Sequence, residues 1–280
     1  MSTLLDFEPM DLMATIEVPL PSANTSVMVK SMVFGEESKF YQTIHKDNRS
    51  AMRQLTSFIY KKIDNPPKEI DTFEKFKSLC TVTDREAIVI GILSVSYGNK
   101  INWPTAHMAS KSCLESPSAV SDVIIDIQKS MRVKSVDAKY LPFEYIKTTE
   151  FKVAIPNMKH ETILVCRTPS LQDEEIIDQY LEDGESPKMM ELISISHSII
   201  INKEDGETIK CIKSENPLEF ITNIRRLTLG QVDYIMDNIS TNMDLDISVT
   251  IEFDSECKVC NEIYSQVLFP TQLFFRKIRQ

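Results

Sequence analysis

The stretch that decides the fold is TDREAIVIGILSVSYG, residues 83–98. Thr83, followed three residues later by Glu86, matches a capping box, in which two side chains bind the free backbone N–H groups at a helix start. The residues that follow are apolar on nearly all sides, which predicts a buried helix over 84–96. Gly98 then supplies a residue that tolerates the positive φ common at helix ends. We therefore predict that residues 87–93 are buried in the folded protein.

Upstream of this helix the chain carries both strand and helix patterns. Two β-rich segments, residues 16–20 and 27–33, flank a turn-like stretch and predict a β-hairpin. Apolar residues then recur at helical spacing and predict one long helix over residues 36–62. The sequence Asn65-Pro66-Pro67 ends it, because proline lacks the amide donor that a helix needs and restricts the residue before it. A short helix over 72–79 follows.

Downstream of the helix predicted over 84–96, strand and helix patterns are also mixed. Strand patterns cover residues 120–127, 151–155, 162–167, 245–253 and 262–269, and helix patterns cover 173–181, 217–227 and 229–240. The acidic helix 173–181 is expected to be exposed, and residues 191–201 fit either a helix or a strand. Asp205-Gly206 between β-formers is a strong hairpin signal. Because the elements do not alternate regularly, we predict an α+β fold with antiparallel hairpins.

The chain of 280 residues is long enough for one large domain or for two. A loop-rich region follows residue 168 and favours a division into 1–168 and 169–280. The second part would end in a hairpin that carries a CxxC turn. The alternative is one composite domain.

The composition is that of an acidic globular protein, with 42% hydrophobic residues, 26% charged residues and a net charge of −10. The chain has six glycines and neither Gly-rich phosphate motif, which disfavours nucleotide enzymes. Its negative charge disfavours nucleic acid as a partner. The six cysteines are irregularly spaced, and no apolar run reaches the roughly 18 residues that cross a bilayer. We expect a soluble protein without a membrane span, made in a reducing cytoplasm.

One motif has a defined chemistry, namely Cys257-Lys258-Val259-Cys260 between two strand patterns. Two thiolates at this spacing can bind one zinc ion from a tight turn. Zinc takes four ligands, and the chain has no second CxxC, so His107 and Cys113 are the mixed pair that could complete the site. The alternatives are two reduced cysteines at a hairpin tip, a site with other ligands, or a redox pair.

No catalytic pattern is found in the sequence. None of the four histidines has a neighbouring Ser, Cys or Asp in a known nucleophile arrangement, so we predict that the chain is not an enzyme. The apolar residues Leu273, Phe274 and Phe275 near the C-terminal end have two explanations. They either close the core or bind a partner, which makes them candidate partner-binding residues.

Several segments, taken in order, resemble the baseplate hub and hub-assembly proteins of T-even-type contractile-tailed phages. The matching segments are residues 16–22, 27–37 with the helix after them, 79–85, 94–98, 141–144 and 253–275. Each is unspecific alone, and the ordered set, which covers most of the chain, carries the resemblance. One departure concerns residues 101–115. Where such proteins often have another CxxC, this chain has only His107 and Cys113.

The resemblance implies a tail morphogenesis protein that acts in assembly of the central baseplate hub, as a subunit or as a chaperone. Its partners would be other tail proteins, such as the hub, the tape-measure protein or the tube initiator. It would be made in the host cytoplasm and be present in the virion if it stays in the baseplate. The competing hypotheses are a zinc-ribbon module that binds nucleic acid or the transcription machinery, and an enzyme with an unusual metal site.

Overall fold

The structure is a computed structural model that describes residues 14–23, 25–44, 48–107, 111–116, 120–134, 150–181, 184–242 and 248–279. Residues 141–144, which contribute to the resemblance, lie outside this part of the chain. The described residues form helices and several antiparallel sheets, which confirms the predicted α+β class.

The elements of the first half are β1 (Thr15–Leu20), β2 (Thr25–Lys30), α1 (Phe34–Ile44), α2 (Asn48–Lys62), β3 (Ile63–Asp64), α3 (Phe73–Leu79), α4 (Val82–Tyr97), β4 (Lys100–Ala106), α5 (Lys111–Leu114), β5 (Val120–Asp126), α6 (Ile127–Ser130) and β6 (Met131–Lys134). Those of the second half are β7 (Phe151–Ala154), β8 (Glu161–Cys166), α7 (Leu171–Tyr180), α8 (Pro187–Ile195), β9 (Ser196–Asn202), β10 (Thr208–Ile212), α9 (Pro217–Arg225), α10 (Leu229–Asn242), β11 (Ser248–Glu256), β12 (Ile263–Leu268) and α11 (Pro270–Arg279).

Helix α4 is capped by Thr81 and not by Thr83. The Thr81 side chain accepts a hydrogen bond from the N–H of Asp84, and the Asp84 carboxylate accepts one from the N–H of Thr81 at 3.0 Å. The predicted pairing of Thr83 with Glu86 is therefore wrong. Glu86 instead accepts a hydrogen bond of 2.8 Å from the N–H of Thr271 at the start of α11. The sequence contains both possible boxes two residues apart, and packing decides between them.

The body of α4 is buried as predicted, with residues 87–93 all inside the protein. Strand β1 crosses this helix so closely that a Cβ atom at Gly91 would lie 2.3 Å from Cγ2 of Val18. A larger residue at this crossing would therefore force the Val18 side chain to move. The helix ends as predicted at Gly98, whose φ is +82°.

The single long helix predicted over residues 36–62 is wrong, because the structure has two helices, α1 and α2, that pack against each other. The rings of Phe40 and Phe58 have centroids 5.5 Å apart. In one straight helix, residues 18 positions apart would be separated by about 27 Å along the axis. The apolar pattern is the same in both cases, since each helix presents its apolar side to the core.

The main core surrounds α4 and draws on both ends of the chain. It contains buried residues from β1 and β2, from α2 and α3, and from β11, β12 and α11. The first hairpin extends to a three-stranded sheet with order β1-β2-β3, and the last hairpin forms a sheet with order β12-β11-β6. Elements near the two ends of the chain therefore share one body.

A second core lies between a four-stranded sheet, with order β10-β9-β8-β7, and the helices α7 to α10. Its β9–β10 hairpin turns at Asp205-Gly206 as predicted. The ambiguous segment 191–201 contains both predicted elements, since α8 ends at Ile195 and β9 begins at Ser196. Strand β8 pairs with β9, with Leu164 opposite Ile199. A division into 1–168 and 169–280 would cut this sheet, so the predicted boundary is wrong.

The N-terminal ends of α4 and α7 lie side by side and join the two cores. Their caps, Thr81 and Ser170, form an isolated antiparallel bridge. Arg85 of α4 forms an ion pair with Glu174 of α7, and both terminal guanidinium nitrogens contact the carboxylate. Hydrogen bonds and charge thus attach the second core to the first at this point.

Candidate metal centre

The turn between β11 and β12 presents both cysteines of the CxxC motif on one side. The N–H of Cys257 donates to the carbonyl oxygen of Glu262 at 2.9 Å, and the N–H of Asn261 donates back to the carbonyl oxygen of Cys257 at 2.8 Å. Asn261 takes a positive φ of +59°, which closes the turn. The hairpin therefore holds Cys257 and Cys260 close together, as the sequence predicts.

The second pair of side chains comes from the region just after β4, more than 140 residues earlier in the sequence. His107 directly follows β4, and Cys113 lies in the short helix α5. Strand β4 is attached to β11 by a hydrogen bond of 3.0 Å between the hydroxyl groups of Thr105 and Ser255. This contact brings the end of β4 beside the CxxC turn.

The four side chains form one compact cluster. One ligand atom from each of His107, Cys113, Cys257 and Cys260 lies within 4.8 Å of the others. The Sγ atoms of Cys113 and Cys257 are 3.7 Å apart, and Sγ of Cys260 is 3.3 Å from Nδ1 of His107. Two sulfur atoms bound at about 2.3 Å to one tetrahedral zinc ion would lie about 3.8 Å apart. The donor set and its spacing therefore fit a single zinc ion with four protein ligands.

The surroundings of Cys257 favour the thiolate, which is the form that binds metals. Burial raises the pKa of this thiol. The backbone N–H groups of Cys260 and Val259 and the side chains of Cys260 and His107 outweigh that effect and lower the pKa to about 6. The Val259 N–H lies 3.4 Å from the Cys257 sulfur.

Two further residues orient His107. Its ring stacks on Tyr264, with centroids 4.7 Å apart, and its Nε2 atom lies 3.5 Å from a carboxylate oxygen of Glu262. Because Nε2 faces the carboxylate, Nδ1 is left facing the cysteines. Metal-bound histidines commonly have such a partner on the other ring nitrogen. Sequence reasoning missed both residues, although they follow the CxxC motif by only a few positions.

The structure thus brings together all four residues that the sequence named as candidate zinc ligands. Cys257 and Cys260 are not an isolated pair at a hairpin tip, since His107 and Cys113 lie against them. His107, Cys113 and Cys257 are buried, and Cys260 is exposed. The remaining cysteines, Cys80, Cys166 and Cys211, are buried away from this cluster.

The candidate partner-binding residues lie on α11, and two of them belong to the main core. Leu273 and Phe274 are 1% and 0% exposed. The Phe274 ring packs against Phe40 and Phe58 with centroid distances of 5.5 and 6.0 Å, and Phe275 is half-buried and stacks on Phe40. Side chains this deeply buried cannot form a contact surface in the folded chain. The predicted partner-binding role is therefore wrong for Leu273 and Phe274, which close the core.

Comparison of the chain with models of known protein families, with curated proteins and with solved structures finds no match. Among the described residues, no helix combines the length and the apolar character that crossing a membrane requires.

Proposed function

We propose that this chain is a phage tail morphogenesis protein, a subunit or assembly chaperone of the central baseplate hub, and that it acts through protein contacts. The family assignment rests on the ordered segments that resemble such proteins. The proposal that the chain is not an enzyme rests on one observation, the set of four protein ligands at the candidate metal centre. Catalytic zinc sites keep a position open for water or substrate, whereas structural sites are filled by four protein ligands.

Zinc would be held by His107, Cys113, Cys257 and Cys260, and its chemistry there would be structural. The ligands join the end of β4 and helix α5 to the hairpin β11–β12. The hydrophobic cluster at this corner is small among the described residues, with Val259 and Tyr264 packed on Cys113 and Cys257. A bound ion would therefore fix the hairpin in place and shape the surface around it.

We expect protein purified without chelator to contain about one equivalent of zinc. Replacing Cys113 and Cys257 by serine should reduce this to background, because two ligands cannot hold the ion. The variant should also melt roughly 10 °C lower, since loss of a bound ion removes several kcal/mol of linked stability. Elemental analysis and thermal melting measure both effects.

The matched control is Cys211→Ser, which removes a buried cysteine far from the cluster and should leave the zinc content unchanged. Native protein with no metal would show that the cluster is a group of reduced cysteines beside a histidine. Two equivalents would reveal a second site.

The assembly role itself is tested by infection with a phage whose copy of the gene is deleted. We expect electron microscopy to show no complete contractile tails, and we expect a plasmid copy of the native gene to restore them. Mass spectrometry of purified virions beside the infected-cell lysate then separates a hub subunit from a chaperone. Normal tails in the deletion would refute the proposed function.

The zinc-ribbon alternative gains one supporting observation, because His107 and Cys113 supply the second ligand pair that the sequence lacks as a CxxC. The surface near the site argues against nucleic acid as its ligand. Glu252, Asp254 and Glu256 are exposed on the strand that leads into the hairpin, and their charges would repel phosphate groups. A protein partner is therefore the better proposal.

A further inference from the structure

The outward face of β12 carries a row of exposed apolar side chains. Alternate residues of this strand point away from the core, among them Ile263 and Val267, which are 69% and 56% exposed. Phe269 continues the row just after the strand and is 49% exposed. Ser265 lies between the apolar residues, and its hydroxyl donates a hydrogen bond of 2.6 Å to Asp254. Such a row is unusual on a strand unless something covers it.

An acidic row runs beside the apolar one on β11. Glu256 is paired with Ile263, Asp254 with Ser265, and Glu252 with Val267. Residues paired across an antiparallel ladder lie on the same face of the sheet. All three carboxylates are exposed. This face of the sheet therefore carries apolar side chains on the edge strand β12 and negative charges on the neighbouring strand β11.

Strand β12 forms an edge of its sheet within the described residues, because the strand order is β12-β11-β6. An edge strand presents backbone N–H and C=O groups that can pair with another strand. Proteins commonly protect such edges with lysine or proline within the strand. The sequence of β12, IYSQVL, contains neither. Its open edge is thus suited to strand addition.

We propose that the edge of β12 binds an extended segment of another protein in which apolar and basic residues take turns at every second position. Side chains two residues apart lie on one face of a strand, so both kinds would lie on the face that carries Ile263 and Val267. The apolar residues would cover Ile263 and Val267, and a basic residue opposite Ser265 would extend past it toward Asp254. A second copy of this chain is a poorer occupant, since it would bring a second acidic row and the chain carries a net charge of −10. The inference rests on the proposed function and adds the chemistry of the partner.

The first test uses a fluorescently labelled peptide, Thr-Val-Thr-Lys-Thr-Val-Thr, titrated with the native chain in an anisotropy assay. Its two valines and its lysine lie on one face at the spacing of Ile263, Ser265 and Val267. We expect saturable binding. Val267→Lys should weaken it at least about tenfold, because it places a charge in the centre of the apolar row. Glu252→Lys combined with Glu256→Lys should weaken it by a similar factor, because the charges then repel.

Two controls separate strand addition from general attraction between opposite charges. The variant Glu204→Lys/Glu215→Lys changes the net charge by the same amount at two exposed surface positions in the part of the chain that forms the second core. It should bind the peptide with an affinity within about twofold of that of the native chain. A peptide N-methylated at its third and fourth residues keeps every side chain and its charge. Adjacent N–H groups point to opposite sides of a strand, so one of the two lost N–H groups would have paired with the edge, and the peptide should bind at least about tenfold more weakly. Melting curves verify that every variant is folded.

The proposal would be overturned by equal weakening by the control variant, by undiminished binding of Val267→Lys, or by undiminished binding of the N-methylated peptide. A dimer of the native chain in light scattering that Val267→Lys dissociates would also overturn it, because a second copy would then cover the edge. In an infected cell, a folded Val267→Lys protein that no longer binds the peptide but still supports tail assembly would refute this inference. It would leave the proposed function intact. Normal tails without the gene would refute the proposed function and leave the peptide result standing.

Discussion

A chain in which Leu273, Phe274 and Phe275 are replaced by serine is expected not to fold. Leu273 and Phe274 are almost fully buried in the main core, and Phe275 covers the ring of Phe40. Truncating a large buried side chain costs about 2–5 kcal/mol, so the changes at Leu273 and Phe274 alone remove roughly 4–10 kcal/mol, and loss of the half-buried Phe275 adds to this. This is comparable to the whole stability of a typical domain. Circular dichroism and the yield of unaggregated protein measure the effect.

The matched control is Phe34→Ser, which removes an aromatic ring that is 82% exposed at the start of α1. It should change the free energy of unfolding by less than about 1 kcal/mol. A triple variant that is folded and melts cooperatively would contradict the placement of α11 in the core. The segment would then return as a candidate contact surface.

The second large effect is expected at a buried ion pair in the second core. Lys213 is 1% exposed, and its Nζ atom lies 2.8 Å from a carboxylate oxygen of Asp173. It also donates to the carbonyl oxygens of Ile193 and Ser194 at 2.7 and 3.0 Å. Burial raises the pKa of Asp173, but the positive charges of Lys213 and Arg167 outweigh it and hold that pKa below its usual value.

Lys213→Met is therefore expected to destabilise the protein by about 3–5 kcal/mol at neutral pH, because it leaves the Asp173 charge buried without its nearest partner. The loss should shrink as the pH falls toward 4. Asp173 becomes easier to protonate once Lys213 is gone, and its neutral form does not need the partner. Urea unfolding at several pH values measures the difference from the native chain.

Lys210→Met is the control, since this lysine is exposed on the neighbouring strand β10 and should cost less than about 0.5 kcal/mol. Adding Asp173→Asn to Lys213→Met should recover part of the lost stability. If Lys213→Met were as stable as the native chain, or its defect did not depend on pH, the pair would not contribute as described.

The sequence by itself determined the elements whose signals are local. The apolar run at 87–93 has no polar side that could face water, so a helix formed by it must be buried whatever the rest of the fold. Asp205-Gly206 fixed the register of its hairpin because few residues tolerate that turn. The CxxC turn likewise holds two thiols together by its own geometry. The mixture of such elements was enough for the α+β class.

The tertiary structure decided what depends on contacts between distant residues. Whether Thr81 or Thr83 caps α4 was settled by packing, since the sequence permits both. Asp173 lies in an acidic stretch that resembles an exposed helix face. In the structure it is buried and forms an ion pair with Lys213. The pairing of β8 with β9 places residues on both sides of position 168 in one sheet, so it rules out a domain boundary there.

The candidate metal centre shows the same division most clearly. The sequence could supply one pair of ligands and name His107 and Cys113 as a possible second pair. It could not place them beside Cys257, because the approach depends on how β4 packs against β11 over about 150 intervening residues. Spacing along the chain predicts only neighbours within one element, whereas a four-ligand site is assembled by the packing of whole elements.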